Sequence, residues 1–322
     1  MTVHRYARRV RRLLTTLGAV VSVSALAAGG GASAGSGGGA AAAAPPRLGG
    51  CPVFPAGNPW NRDVSRAPVH PNSAAYVASI NDDARFLHAD FGGGGAYGIP
   101  FRVVPRTQPR VPIRITDYPD ESDRGPYPVP LNAPVEQGSD RHVLTLQRGT
   151  CRLYELYNAR RSGAGWAVSQ GSIFNLRTNA LRPAGWTSAD AAGLPILPGL
   201  ARYDEVRAGA IHHALRFTVA RSQRAYIHPA RHFASSDTDA ALPPMGLRLR
   251  LKASYSLARF RGQSRVILTA LKRYGMLVAD NGSSWYITGA SDRRWNDEDL
   301  NQLKTVPGSA FEAVYTGRPR TR

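Results

Sequence analysis

Glycine and proline punctuate this chain so densely that its strands must be short and the connections between them long. There are 33 glycines and 24 prolines in 322 residues, and segment 106–134 is the plainest stretch of extended, ordered loop. Glycine frees the backbone and proline removes an amide donor, so both interrupt regular elements. Between the breaks, alternating, β-branched and aromatic runs predict strands at 102–104, 111–115, 142–147, 152–158, 165–169, 172–175, 214–219 and 247–251. Met276-Leu277-Val278-Ala279 and Trp285-Tyr286-Ile287 flank Asp280-Asn281-Gly282, the residue chemistry of a tight hairpin turn. Helical patterns are confined to 72–80, 188–192, 265–274 and 297–303, with Thr187-x-x-Asp190 and Asn296-x-x-Asp299 resembling capping boxes. The expected fold is β-rich, a β-sandwich or jelly-roll core with a few peripheral helices; a strongly curved α+β sheet is the alternative.

The first residues read as an export signal. Arg5, Arg8, Arg9, Arg11 and Arg12, with no acid among them, precede an apolar run over 13–29 that is too short and small-residue-rich for a membrane span. Segment 1–34 is therefore expected to be a signal peptide, 35–50 a disordered Gly/Ala/Pro spacer and 51–322 a single globular domain. Leu48-Gly49-Gly50-Cys51 resembles a lipobox but does not abut the apolar run. The localisation implied is secreted and extracellular, with no stable membrane insertion. In an exported chain the two cysteines, Cys51 and Cys151, predict a disulfide. Closing so long a loop stabilises a fold by about 4–5 kcal/mol in the chain-entropy treatment.

The formal charge of +19 falls to +14 without the five arginines of the signal region. A basic exterior suits polyanionic surroundings such as acidic glycans. The arginines are scattered, however, and neither a basic helix nor a nucleic-acid motif is present, so no nucleic-acid partner is expected. Gly-x-Ser-x-Gly, the Walker A loop and the dinucleotide fingerprint are also missing, which argues against those serine hydrolases and nucleotide enzymes.

The run from Gly185 to Gly199 (Gly-Trp-Thr-Ser-Ala-Asp-Ala-Ala-Gly-Leu-Pro-Ile-Leu-Pro-Gly) is followed by Tyr203-Asp-Glu-Val206, His213-Ala-Leu-Arg-Phe-Thr218, Pro244-Met-Gly-Leu-Arg-Leu-Arg-Leu-Lys252 and Ala279-Asp-Asn-Gly282. In these motifs the chain resembles a family of uncharacterised secreted bacterial proteins of actinobacterial type, from about Cys51 to the end. The resemblance implies export and one domain and transfers no catalytic role. In its β-rich secreted character the chain is also loosely similar to sandwich-fold glycoside hydrolases.

Three constellations carry chemistry. The first is acidic: Asp140 before a strand, Glu155 within one, then Asp190 and Asp204-Glu205 around a proline-rich loop. Glycoside hydrolysis needs two facing carboxyl groups, one protonated and one ionised. Glu155 shares a strand face with Leu153 and Tyr157, and burial there would raise its pKa as a general acid requires. The competing role for each acid is an ion pair or a helix cap.

The second is histidine-rich: His212, His213, His228 and His232, followed by Asp237. His228-x-x-x-His232 could share a helix face, but the Glu of a His-Glu-x-x-His site is missing, so neither a metal nor another cofactor is expected. His213, beside Asp204 or Glu205, is a candidate general base; a hydrogen-bonded core histidine is the plainer role. The third is aromatic. Trp166 and Trp285 fall in strands and predict core, whereas Trp60, Trp186 and Tyr203 lie in loops where sugar rings could stack, with Arg216 orienting hydroxyls. The function expected is a monomeric extracellular protein acting on polysaccharide or cell-wall glycan, a glycoside hydrolase with paired carboxylates. A non-catalytic glycan-binding protein and a histidine-based polysaccharide lyase are the alternatives.

Overall fold

The computed structural model describes residues 44–321; the signal-peptide segment and most of the spacer lie outside them. In chain order the strands are β1 (Arg47–Leu48), β2 (Cys51–Pro52), β3 (His88–Asp90), β4 (Phe101–Val104), β5 (Ile113–Ile115), β6 (Val143–Gln147), β7 (Arg152–Tyr157) and β8 (Arg160–Ser162). They continue as β9 (Gly165–Val168), β10 (Gln170–Asn175), β11 (Leu215–Val219), β12 (Arg248–Leu251), β13 (Met276–Asn281), β14 (Tyr286–Thr288) and β15 (Phe311–Val314). The α-helices are α1 (Ser73–Asn81), α2 (Tyr203–Arg207), α3 (Gly262–Arg273) and α4 (Asp297–Leu300).

The fold is β-rich with few helices, and its larger sheets are mixed. One has the order β10-β7-β6-β4, antiparallel except where β6 meets β4. The other runs β15-β12-β13-β11-β14-β3, with parallel pairs at β13/β11 and β14/β3. Leu144, Leu146, Leu153 and Phe174 of the first join Leu215, Phe217, Leu249, Met276 and Ile287 of the second in one hydrophobic core. A smaller cluster, with Tyr127, Tyr154, Leu156 and Trp166, underlies the three-stranded sheet β5-β9-β8. Strand β7 explains the arrangement: its period-two alternation sends Leu153 and Glu155 to one side and Tyr154 and Leu156 to the other, and all four are buried.

Cys51 and Cys151 form the expected disulfide, with Cα atoms 5.4 Å apart. It ties β2 to the β6–β7 turn. Within the segment 35–50 read as spacer, Arg47–Leu48 is a strand. Arg47–Leu48 pairs with Cys51–Pro52, the Val53 amide donates to the Pro46 carbonyl at 2.7 Å, and Leu48 packs on the core.

Two expectations around 188–192 and 280–282 are overturned. Segment 188–192 is not helical. The Ser188 hydroxyl accepts from the Asp190 amide at 3.0 Å and donates to the Leu194 carbonyl at 2.6 Å, giving the backbone a local alternative to helix. Asp280-Asn281-Gly282 makes no hairpin, because β11 lies between β13 and β14 and pairs with both. Leu215, Phe217 and Val219 are wholly buried, which a central strand position provides. Elsewhere the pattern reads well: Asn296 caps α4 by accepting from the Asp299 amide at 2.9 Å, and Asp299 in turn accepts from the first amides of α3.

Candidate active site

The site begins with a bulge. Strands β11 and β13 keep a regular parallel register to Phe217↔Val278, then shift so that Thr218 opposes Asp280. The extra residue, Ala279, moves Asp280 onto the β11 face that carries Arg216 and Thr218; in an unbroken register it would fall opposite Val219. Arg216 grips Asp190 with two hydrogen bonds, Nε–Oδ2 at 3.1 Å and Nη2–Oδ1 at 2.9 Å, and donates to Thr288 Oγ1 at 2.7 Å. Its Nη2 lies 3.9 Å from Asp280 Oδ2. Asp190 is fully enclosed, so Arg216 is its counter-ion.

Asp280 opens into a pocket of about 410 Å³, whose wall also includes Asp140, Tyr118, Tyr157, Asn281 and His232. The turn Thr187–Ala191 closes another side. The Asp280 side chain keeps 27% of its surface exposed. Its low-dielectric position raises its pKa, the Asp190 carboxylate adds to the effect, and Arg216 and the Asn281 amide oppose it; the balance is pushed up to about 7. Asp140 stands exposed in the same wall, its backbone carbonyl fixed by the Asn158 amide at 2.7 Å.

Two further ionisable groups back the pocket. His142 faces the Glu136 carboxylate with Nδ1 and the Ala189 carbonyl with Nε2 at 2.9 Å. Both partners only accept, so both ring nitrogens carry protons and His142 is a cation. Burial opposes that charge, but Glu136 outweighs it and the imidazole pKa rises. Glu155 projects into the core, where its carboxylate accepts from the Ile196 amide at 3.0 Å and the Leu197 amide at 2.9 Å. Burial still drives it up to about 7. It has no surface on the pocket.

No protein-family model, curated protein or solved structure matches this chain.

The candidates from the sequence divide into groups. Asp140 lines the pocket, while Asp190, Arg216 and Glu155 lie behind it. Glu205 and His213 do not join them: Glu205 lines a second pocket, of about 350 Å³, together with Tyr203. There Arg202 Nη2 lies 2.6 Å from Glu205 Oε1, and His213 Nε2 lies 3.1 Å from Oε2. Burial pushes Glu205 up, but Arg202 and His213 outweigh it and hold the acid at about 2. His213 itself is fully buried with Nδ1 on the Ala214 carbonyl at 2.8 Å, the plainer of its two expected roles.

Trp60 is core, at 2% exposure, and offers no free face because its indole packs on Gly199. Trp186 is half-buried with the Arg182 guanidinium 5.4 Å from its ring, and it immediately precedes the pocket residue Thr187. The Tyr203 ring is covered by Arg294 at 4.4 Å. His228 and His232 share no helix face: the chain turns at a cis His228–Pro229 bond, and only His232 reaches the pocket, with Nδ1 2.9 Å from the Ala191 carbonyl. Sequence reasoning passed over His142 and treated Asp280 foremost as turn chemistry. The signal for His142 was its place two residues after Asp140 at the head of a strand.

Proposed function

We propose that this protein is an extracellular glycan-active enzyme, a glycoside hydrolase in which Asp280 is the general acid and Asp140 the second carboxyl group of the pair. The observation that carries the reading is Asp280, which opens into the same pocket as the exposed Asp140 and whose pKa stands near 7. A carboxyl group that keeps its proton near neutral pH, in one pocket with a second that is in contact with solvent, matches the two carboxyl groups that glycosidic cleavage needs. Tyr118 and Tyr157 supply flat apolar surface for a sugar ring. The Asp190–Arg216 pair would hold Asp280 in place and tune it without touching substrate. Export is supported by the disulfide, which persists in oxidising compartments. No helix among the described residues is long and apolar enough to cross a membrane.

The test is to incubate residues 47–322 with neutral and acidic polysaccharides while following new reducing ends and the ultraviolet absorbance of unsaturated uronates. New reducing ends without absorbance are expected. Asp280→Asn and Asp140→Asn should each lower the rate by at least about a hundredfold, and the wild-type rate should fall as pH rises through about 7. Absorbance would favour a lyase using His232, which also lines the pocket. Silence across the panel would leave a glycan-binding protein.

A further inference from the structure

Away from that acidic pocket, positive charge is left without a counter-ion. Arg248, on β12, is 2% exposed and its Nε has no hydrogen-bond partner. Its Nη2 donates to the Pro59 carbonyl at 2.7 Å, and the same carbonyl accepts the Arg62 backbone amide at 3.4 Å. That shared acceptor sets Arg62, at the end of the Pro59–Asn61 turn, beside the buried guanidinium. Two residues along β12 the contrast is plain: Arg250 is paired with Glu312 at 2.8 Å. A buried guanidinium ordinarily has such a carboxylate.

The same region gathers more cations. Arg320 pairs through its backbone with Tyr226, two residues before His228. Arg231 spends Nε on the Arg182 carbonyl and has no acidic partner. His228 is exposed, and desolvation first, then Arg231, Arg320 and Arg62, drive it towards its neutral form, with no carboxylate acting against them. Among the described residues, none of Arg62, Arg231, Arg248 and Arg320 takes part in an ion pair, in a chain that forms such pairs at many other arginines.

We propose that Arg62, Arg231, Arg320 and His228, with Arg248 behind Arg62, form a binding site for an oxyanion: the carboxylate, sulfate or phosphate of an acidic ligand. The exposed arginines supply forked donors that match a planar or tetrahedral oxyanion. The buried one adds a charge that solvent screens poorly. His228 is available as a neutral donor. None of these residues lines the carboxylate pocket, and oxyanion binding here does not depend on that pocket being catalytic.

The experiment is calorimetric titration of the protein with sodium sulfate, inorganic phosphate, a trigalacturonate and a neutral trisaccharide. Wild type should bind the oxyanions and not the neutral sugar. The double variant R62A/R320A alters two exposed side chains and should lose about tenfold in affinity per arginine, while Asp280→Asn should bind as wild type does. Arg248→Met should weaken sulfate binding with an unchanged circular dichroism spectrum. Tighter binding of trigalacturonate than of sulfate would identify a glycan as the source of the anion, and equal binding a free inorganic ion. No binding of any oxyanion, or equal binding by R62A/R320A, would overturn the inference. Sulfate binding that is lost in the double variant, in a protein inactive on every polysaccharide, would uphold this site while rejecting the hydrolase.

Discussion

Replacing Glu155 by glutamine removes a titration from the middle of the core. The glutamine carbonyl can still accept from the Ile196 and Leu197 amides, so the two hydrogen-bonding positions of the 195–197 turn keep a partner. In the native protein burial lifts the carboxyl pKa from an ordinary 4.5 to about 7. Between those values the folded chain retains a proton that the unfolded chain has released, so stability declines as pH rises. The favourable contribution is complete below about pH 4.5 and is gone above about 7. At about 1.36 kcal/mol per pH unit the loss amounts to about 3 kcal/mol. Urea unfolding of both proteins at about pH 4.5 and about pH 8.5 measures it, and subtracting the variant cancels the titrating groups that do not interact with Glu155. The stability of Glu155→Gln relative to wild type should improve by about 3 kcal/mol from the acidic to the alkaline condition. A gap between the two proteins that is the same at both pH values would refute the buried, proton-holding carboxyl described above.

Other consequences are simpler to state. Arg216→Met strands Asp190, fully buried, without its counter-ion, and should destabilise the fold by about 3–5 kcal/mol in thermal or urea unfolding. Reducing the Cys51–Cys151 bond frees a loop closed over 100 residues and should cost about 4–5 kcal/mol, read as a lower urea midpoint in the presence of reductant.

Much of the strand pattern was legible because period-two alternation is local. The runs at 152–158, 165–169 and 247–251 became β7, β9 and β12 within one or two residues. Local reading failed where partners decide. Asp280-Asn281-Gly282 has turn chemistry, yet β11, more than fifty residues earlier, occupies the place a hairpin partner would take. Trp60 sits among loop residues in sequence and in the core in space, because Gly199 leaves room for its indole. Helix α2 went unforeseen, since five residues carry too little pattern to register.

The candidate site shows the same division. The sequence alone determined which residues could ionise and that Glu155 shares a strand face with Leu153 and Tyr157, since strand alternation is set by covalent geometry; whether that face is core or cleft it left open. It also determined the disulfide, since only two cysteines are present. Only the tertiary structure decided that Asp280 and Asp140 share a pocket, that Asp190 is neutralised by Arg216, and that Glu205, with the buried His213 against it, lines a different one. The physical reason is that desolvation and Coulomb interactions depend on distance through space. One bulged residue in β13 turns Asp280 towards Arg216, and nothing local in the sequence marks that shift.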